Sequence, residues 1–262
     1  MSAILLDSQI VHYEVLGRGR PIVFLHSWVG SWRYWIASMQ VASTSFRAYA
    51  LDLWGFGDSA RDPLRYSVDQ QTDLLTNFLD AMGIGKVALV GHGLGALIGF
   101  NFTTHWPQSV DRVMAVNAPL HSEAINDRLK TSSLPDLINW LGSKTPEGLA
   151  ALADAIKADP KAILASVNGS PYNSLFGQLR DTQIPCLLVY GQNDPAVPIP
   201  PPDDSIELPH MMHHVVLEGS GHFPMIDDAA RFNRLLTDFL TLDSGVSPRE
   251  LQMKEEWRRR VR

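Results

Sequence analysis

Val87-Ala88-Leu89-Val90-Gly91-His92-Gly93-Leu94-Gly95-Ala96-Leu97-Ile98-Gly99 is the stretch that decides the fold. It opens as a short, continuous apolar run, the pattern of a strand buried on both faces. Glycines at 91, 93 and 95 interrupt it, and a longer apolar segment of helical length follows from Leu94. A strand that turns through glycines into a helix belongs to a mainly parallel sheet covered by helices. Working outward, runs of the same kind are read at Ile10–Leu16, Pro21–Leu25, Ala48–Leu53, Val87–Val90, Val113–Val116, Cys186–Tyr190 and His214–Leu217. Segments of helical period fill the intervals. Val68–Met82 places Leu74, Leu75, Phe78, Leu79 and Met82 on one stripe and stops at Gly83, and Phe232–Leu240 repeats the pattern near the end. The expected fold class is α/β, a mostly parallel twisted sheet flanked by helices.

One interval breaks the alternation. Between 120 and 183 the helical patterns Leu134–Leu141, Glu147–Ala158 and Lys161–Val167 are separated by Pro146, Pro160 and Gly169-Ser170-Pro171, with no convincing strand. The expected division is a core of residues 1–119 and 184–245, a helical cap of 120–183 and a helical tail of 246–262. The charge cluster Glu255–Arg262 within that tail reads as a solvated face.

The chain has 262 residues, 45% of them hydrophobic and 19% charged, which is the composition of an ordinary globular protein. With 22 basic against 28 acidic residues the net charge is −6, so no overall basic field exists to hold nucleic acid or an anionic membrane. Cys186 is the single cysteine, which excludes an intrachain disulfide, and its apolar surroundings predict a buried thiol. The opening residues lack the charged and long apolar regions of a signal peptide, and no apolar stretch approaches the roughly 20 residues that span a bilayer. The expectation is a cytoplasmic monomer or homodimer whose partner is a small molecule.

Four further segments carry chemistry. They are Phe24-Leu25-His26-Ser27-Trp28, Asp52-Leu53-Trp54-Gly55-Phe56-Gly57-Asp58-Ser59, Gly191-Gln192-Asn193-Asp194 and Gly219-Ser220-Gly221-His222-Phe223-Pro224. Gly91-His92-Gly93-Leu94-Gly95 looks like a nucleophile elbow, in which flanking glycines let strand and helix pass closely and a strained central residue is presented above the sheet. With these segments in this order, the chain resembles the α/β-hydrolase fold superfamily, esterase- and lipase-like, over essentially its full length.

The resemblance implies a hydrolase of carboxylic esters or carbon–carbon bonds acting on a small, largely apolar substrate, with neither cofactor nor metal. It assigns Gly93 to the nucleophile position, Asp194 to the acid and His222 to the base, and it makes the backbone N–H groups of Trp28 and Leu94 the oxyanion hole. Two departures stand out: Gly93 has no side chain with which to attack, and Ser27 stands where the family has glycine.

The residues support these roles physically. An imidazole that titrates near neutrality can take and return a proton if a carboxylate fixes its tautomer. Read alone, His222 is a loop histidine without a task; in register with Asp194 and the elbow, it is a general base. His26, Ser27, Trp32, Trp140 and Phe223 are expected at the substrate, and Tyr172 and Phe176 extend the aromatic group from the cap. As a displaced nucleophile Ser27 ranks behind a role at the ligand or in its own loop, because the elbow is where nucleophile geometry is ordinarily met. His92 is expected to be support, and His210, His213 and His214 match no metal signature.

Gly93 admits three explanations: a descendant of serine hydrolases that has become a non-catalytic receptor, a deliberately inactivated esterase, or a cofactor-free enzyme in which His222 and Asp194 act as general base. The last resembles the cofactor-independent heteroaromatic-ring dioxygenases and the hydroxynitrile lyases. Competent Ser-His-Asp hydrolysis is not expected for this sequence.

Overall fold

The computed structural model describes residues 2–121, 124–168, 172–199 and 208–253. Its strands are β1 (Ser2–Leu6), β2 (Gln9–Gly17), β3 (Arg20–Leu25), β4 (Phe46–Leu51), β5 (Val87–His92), β6 (Val110–Val116), β7 (Cys186–Gly191) and β8 (Met212–Leu217). They form one sheet in the order β1-β2-β4-β3-β5-β6-β7-β8. β2 runs antiparallel to β1 and β4, and every pairing from β4 to β8 is parallel. All six residues of β5 and of β7 are buried, which is why both segments read as unbroken apolar runs.

The helices are α1 (Ile36–Ala42), α2 (Val68–Ala81), α3 (Leu94–His105), α4 (Arg128–Thr131), α5 (Leu134–Leu141), α6 (Pro146–Ala151), α7 (Pro160–Asn168), α8 (Tyr172–Arg180), α9 (Pro224–Asp227) and α10 (Ala229–Leu240). Ser67 caps α2 by accepting from Gln70 N–H, and Met82 closes it before Gly83 at φ 66°. The segment between β6 and β7 carries α4 to α8, and α8 runs along α3.

The structure adds one element to those expected and corrects two. The opening residues are a strand, joined to β2 by the two-residue turn Asp7-Ser8, both at positive φ (48° and 64°). The fourth strand spans Phe46–Leu51, so Asp52 and Leu53 lie beyond it. Glu147–Ala158 is not one helix: α6 stops at Ala151 and a separate 3-10 turn covers Ala155–Lys157. Asp154, in the break, is held by Arg33 Nε at 2.6 Å and Lys157 Nζ at 3.0 Å, so an ion-pair network outweighs the local helical period. The Gly169-Ser170-Pro171 break, the charged end Glu255–Arg262 and the side chains of Tyr172 and Phe176 lie outside the described residues. Cys186 is buried as expected, with its thiol pushed up to about 12.

Candidate active site

β3 lies between β4 and β5, so the chain leaves β3 to one side and returns on the other. The crevice at the carboxyl ends of such a pair is where open α/β sheets bind ligands. β3 delivers His26-Ser27-Trp28 there and β5 delivers Gly93, with Leu25 opposite Gly91 in register. Gly93, at φ 50° and ψ −107°, begins α3: its carbonyl accepts from Ala96 and Leu97 N–H, and its own N–H donates to Val116 O. The flanking glycines are required by close approach. A Cβ at Gly91 would overlap the Gly95 carbonyl, and one at Gly95 would overlap the carbonyl of Leu25.

The adjacent strands β7 and β8 deliver the other half. His222 Nδ1 lies 3.0 and 2.9 Å from the two carboxylate oxygens of Asp194, with both side chains fully buried. The two loops are tied together where Gly219 N–H donates to Gln192 Oε1 and Asn193 N–H to Ser220 O, and the second loop is pinned to α9 where Gly221 N–H donates to Asp227 Oδ2. Asn117, just past β6 at φ 44°, braces both; its Nδ2 donates to His222 O at 2.9 Å, and its Oδ1 accepts from Gly191 N–H at 2.8 Å. These bonds fix the Asp194–His222 distance through the backbone, so the pair is preorganised.

Ser27 completes the arrangement. Its Oγ lies 3.5 Å from His222 Nε2 and occupies the volume in which a Cβ at Gly93 would stand. The Ser27 N–H donates to Tyr34 Oη (2.7 Å), which in turn donates to His92 Nδ1 (3.0 Å). Trp28 is fully buried, and its Nε1–H donates to Ser166 Oγ on α7. Among the described residues neither the Trp28 N–H nor the Leu94 N–H has an acceptor.

A family model described as "Alpha/beta hydrolase family" matches residues 22–235. The chain belongs to the α/β-hydrolase family. It is 26% identical to a 2-hydroxy-6-oxo-2,4-heptadienoate hydrolase of Pseudomonas putida, across 87% of this chain and 91% of that one. Among solved structures, an esterase of Thermogutta terrifontis superposes with a TM-score of 0.78 at 20% identity, covering 91% of this chain and 97% of the other. A serine-to-glycine variant of an N-acyl homoserine lactonase, complexed with N-hexanoyl homoserine lactone, does so equally (TM-score 0.78, 20% identity, 91% and 96% covered). Among the described residues no helix is long and apolar enough to cross a membrane.

Within this α/β-hydrolase site the remaining residues sort by what they touch. Phe223 packs in T-shaped contact with Tyr34, His92 and His222. His26, expected at the substrate, is corrected to a brace: Leu53 N–H donates to its Nε2, and its Nδ1–H donates to Ser27 O, so neither ring nitrogen is left for a ligand. Trp32 packs on His12, and Trp140 lies under the Arg128 guanidinium at 4.4 Å; neither is brought against His222. Asp52, in the turn after β4, accepts from His12 Nδ1, Trp32 N–H and Asp58 N–H, so its carboxylate is spent on that turn. Tyr34 and Asn117 act on the site through hydrogen bonds, Tyr34 at the Ser27 N–H and His92 and Asn117 at the loops after β7 and β8, roles that residue type and spacing do not display.

Burial pushes His92 well below the ordinary imidazole range, with the nearby His222 adding to the shift, and burial lowers His26 as well. Both stay neutral in the fold yet take up a proton near pH 6.5 once unfolded. Their contribution to stability is therefore present above pH 6.5 and lost as pH falls toward the depressed values. His12 works the other way: burial would lower it, but the hydrogen bond to Asp52 and that group's charge raise it. Its contribution is present below pH 6.5 and lost as pH rises through the raised value. Two histidines held neutral by burial, His92 strongly so, outweigh the single histidine raised by Asp52, so Tm is expected to fall between about pH 7.5 and about pH 5.5. A thermal melt series over that range checks it, and a flat or rising Tm would contradict neutral burial.

Proposed function

We propose that this α/β-hydrolase is an acid–base enzyme that cleaves a small, largely apolar carbonyl compound of the ester, lactone or activated-ketone class, with His222 as the proton-transfer group, Asp194 as its partner and no side chain contributed by Gly93. The observation that carries the reading is the buried Asp194–His222 pair, held at 2.9 to 3.0 Å with Nε2 directed at the Ser27 hydroxyl above Gly93. Asp194 accepts the Nδ1–H, so Nε2 is the basic nitrogen and the imidazolium formed on proton transfer is stabilised where it arises. Trp28 and Leu94 N–H supply the complement for negative charge on the substrate oxygen. The names of the matching proteins support this class: a dienoate hydrolase, an esterase and a lactonase.

The test is turnover of a panel of short aryl esters and N-acyl homoserine lactones by the intact protein and by Asp194→Asn. The variant keeps the shape but donates where Asp194 accepts, which inverts the His222 tautomer, so kcat/KM is expected to drop about 10⁴-fold. Full turnover in Asp194→Asn would defeat the reading. So would an intact protein that melts at higher temperature with a panel member but turns none over, an outcome that would instead make the chain a small-molecule receptor.

A further inference from the structure

The space above the elbow is filled, and what fills it is a hydroxyl. A Cβ at Gly93 would overlap Ser27 Oγ and would sit 3.1 Å from Ser27 Cβ and 2.9 Å from Trp28 Cζ3. Ser27 has no solvent exposure, and His222 Nε2 is the one hydrogen-bond partner of its Oγ among the described residues. The backbone around it is fixed on both sides, since its N–H donates to Tyr34 Oη at 2.7 Å and its C=O accepts from His26 Nδ1 at 2.8 Å. The direction of its Cα–Cβ bond is therefore set by the scaffold, as a nucleophile requires. Trp28, the next residue, offers an unpaired N–H. An elbow nucleophile is likewise followed by an oxyanion donor, so the relation is preserved one loop away.

We infer that Ser27 is the nucleophile, so that Ser27, His222 and Asp194 form a triad assembled from the loops after β3, β7 and β8, with Gly93 providing room for the Ser27 hydroxyl. The inference rests on the ester- or lactone-cleaving reading above and adds a covalent step to it. Ser27 Oγ attacks the carbonyl carbon while its proton passes to His222 Nε2, and the carbonyl π pair moves onto oxygen between the Trp28 and Leu94 N–H groups. The tetrahedral adduct collapses, the carbon–oxygen bond to the alcohol breaks, and the leaving oxygen takes the proton from His222. Water then adds to the Ser27 ester, giving its proton to His222, and Ser27 Oγ leaves and recovers it. The products are one acid and one alcohol for one ester and one water. An oxygen-to-nitrogen distance of 3.5 Å is looser than a working hydrogen bond, and catalytic contacts of this kind tighten when substrate is bound.

Two measurements test this without requiring the natural substrate. The first is labelling of the intact protein with a fluorophosphonate, followed by peptide mapping. One adduct on the Ser27 peptide is expected, lost in Ser27→Ala and in His222→Ala, with Ser27→Ala also losing about 10⁴-fold or more in aryl-ester turnover. The second is alkylation of Ser27→Cys with iodoacetamide near pH 7. A thiolate favoured by His222 is expected to give one rapid carbamidomethyl at position 27, at least tenfold faster than in the double variant with His222→Ala. Cys186 gives no background, because it is buried with its thiol pushed up to about 12.

The inference is overturned if no adduct maps to Ser27, if alkylation at position 27 is independent of His222, or if folded Ser27→Ala keeps ester turnover. In that last case the loss seen in Asp194→Asn would survive, leaving the acid–base reading intact with water as the attacking group. Labelling at Ser27 in a protein that turns over no ester or lactone would do the reverse, keeping the nucleophile and removing the substrate class.

Discussion

His222→Ala is expected to lower ester or lactone turnover by about 10⁶-fold while leaving a folded protein. The reason is that one imidazole serves both halves of the reaction, taking the proton from the attacking group and returning it to the leaving group. Asp194 cannot replace it: its oxygens are held against Nδ1 and one also accepts from Ala196 N–H. His92, whose ring centre is 4.6 Å away, cannot replace it either, since its Nδ1 is engaged by Tyr34 and burial keeps the ring neutral. What remains in the variant is binding and the oxyanion donors, which sustain a small residual rate over water. The fold is expected to persist because the loop is pinned by its backbone, through Asn117 to the His222 carbonyl and through Asp227 to Gly221, and not by the imidazole. Steady-state kinetics beside a thermal melt check this. Turnover within tenfold of the parent in a folded variant would remove His222 from the mechanism.

Much of this was legible in the residues, and the parts that were not share a cause. The parallel strands β5 and β7 announce themselves because burial on both faces demands unbroken apolar runs. The elbow glycines are visible because Gly91 and Gly95 each meet a carbonyl where a Cβ would go. Asp194 and His222 follow from the resemblance of their loops to the family's acid turn and histidine loop, and the structure brings them into contact. β1 is not legible because its turn is Asp7-Ser8, without the glycine that usually marks a turn with two positive φ values. His26 looked like a ligand group because sequence cannot show that both ring nitrogens are used by the backbone of Leu53 and Ser27. Ser27 is the most telling case. From sequence it is a loop serine close to a site; only the shared volume above Gly93 shows that its hydroxyl stands where the elbow side chain would begin.

That shared volume makes Gly93→Ser a destructive change and not a repair. At φ 50° and ψ −107° a serine carries backbone strain that glycine does not, of order 1–3 kcal/mol. Its Cβ would also overlap Ser27 Oγ, and Trp28 Cζ3 at 2.9 Å limits escape on the other side because the indole is tied to Ser166 on α7. The Ser27 hydroxyl must rotate away from His222, or the loop after β3 must shift and strain the Tyr34 bond to Ser27 N–H. Gly93→Ser is therefore expected to lose about 2–4 kcal/mol of stability and about 10³-fold or more in turnover, although it restores the residue that an elbow ordinarily carries. The compensating change is Ser27→Gly. In the double variant Ser27→Gly, Gly93→Ser the overlap with Ser27 is gone while the backbone strain and the close Trp28 Cζ3 contact remain, so about 1–2 kcal/mol of the loss is recovered as a coupling between positions 27 and 93. Denaturant midpoints and turnover for the parent, both single variants and the double close the cycle. Additive effects, or a Gly93→Ser protein as stable and active as the parent, would show that the two side chains do not compete for one site. A non-additive recovery would show that a single hydroxyl belongs in this volume, whichever strand supplies it.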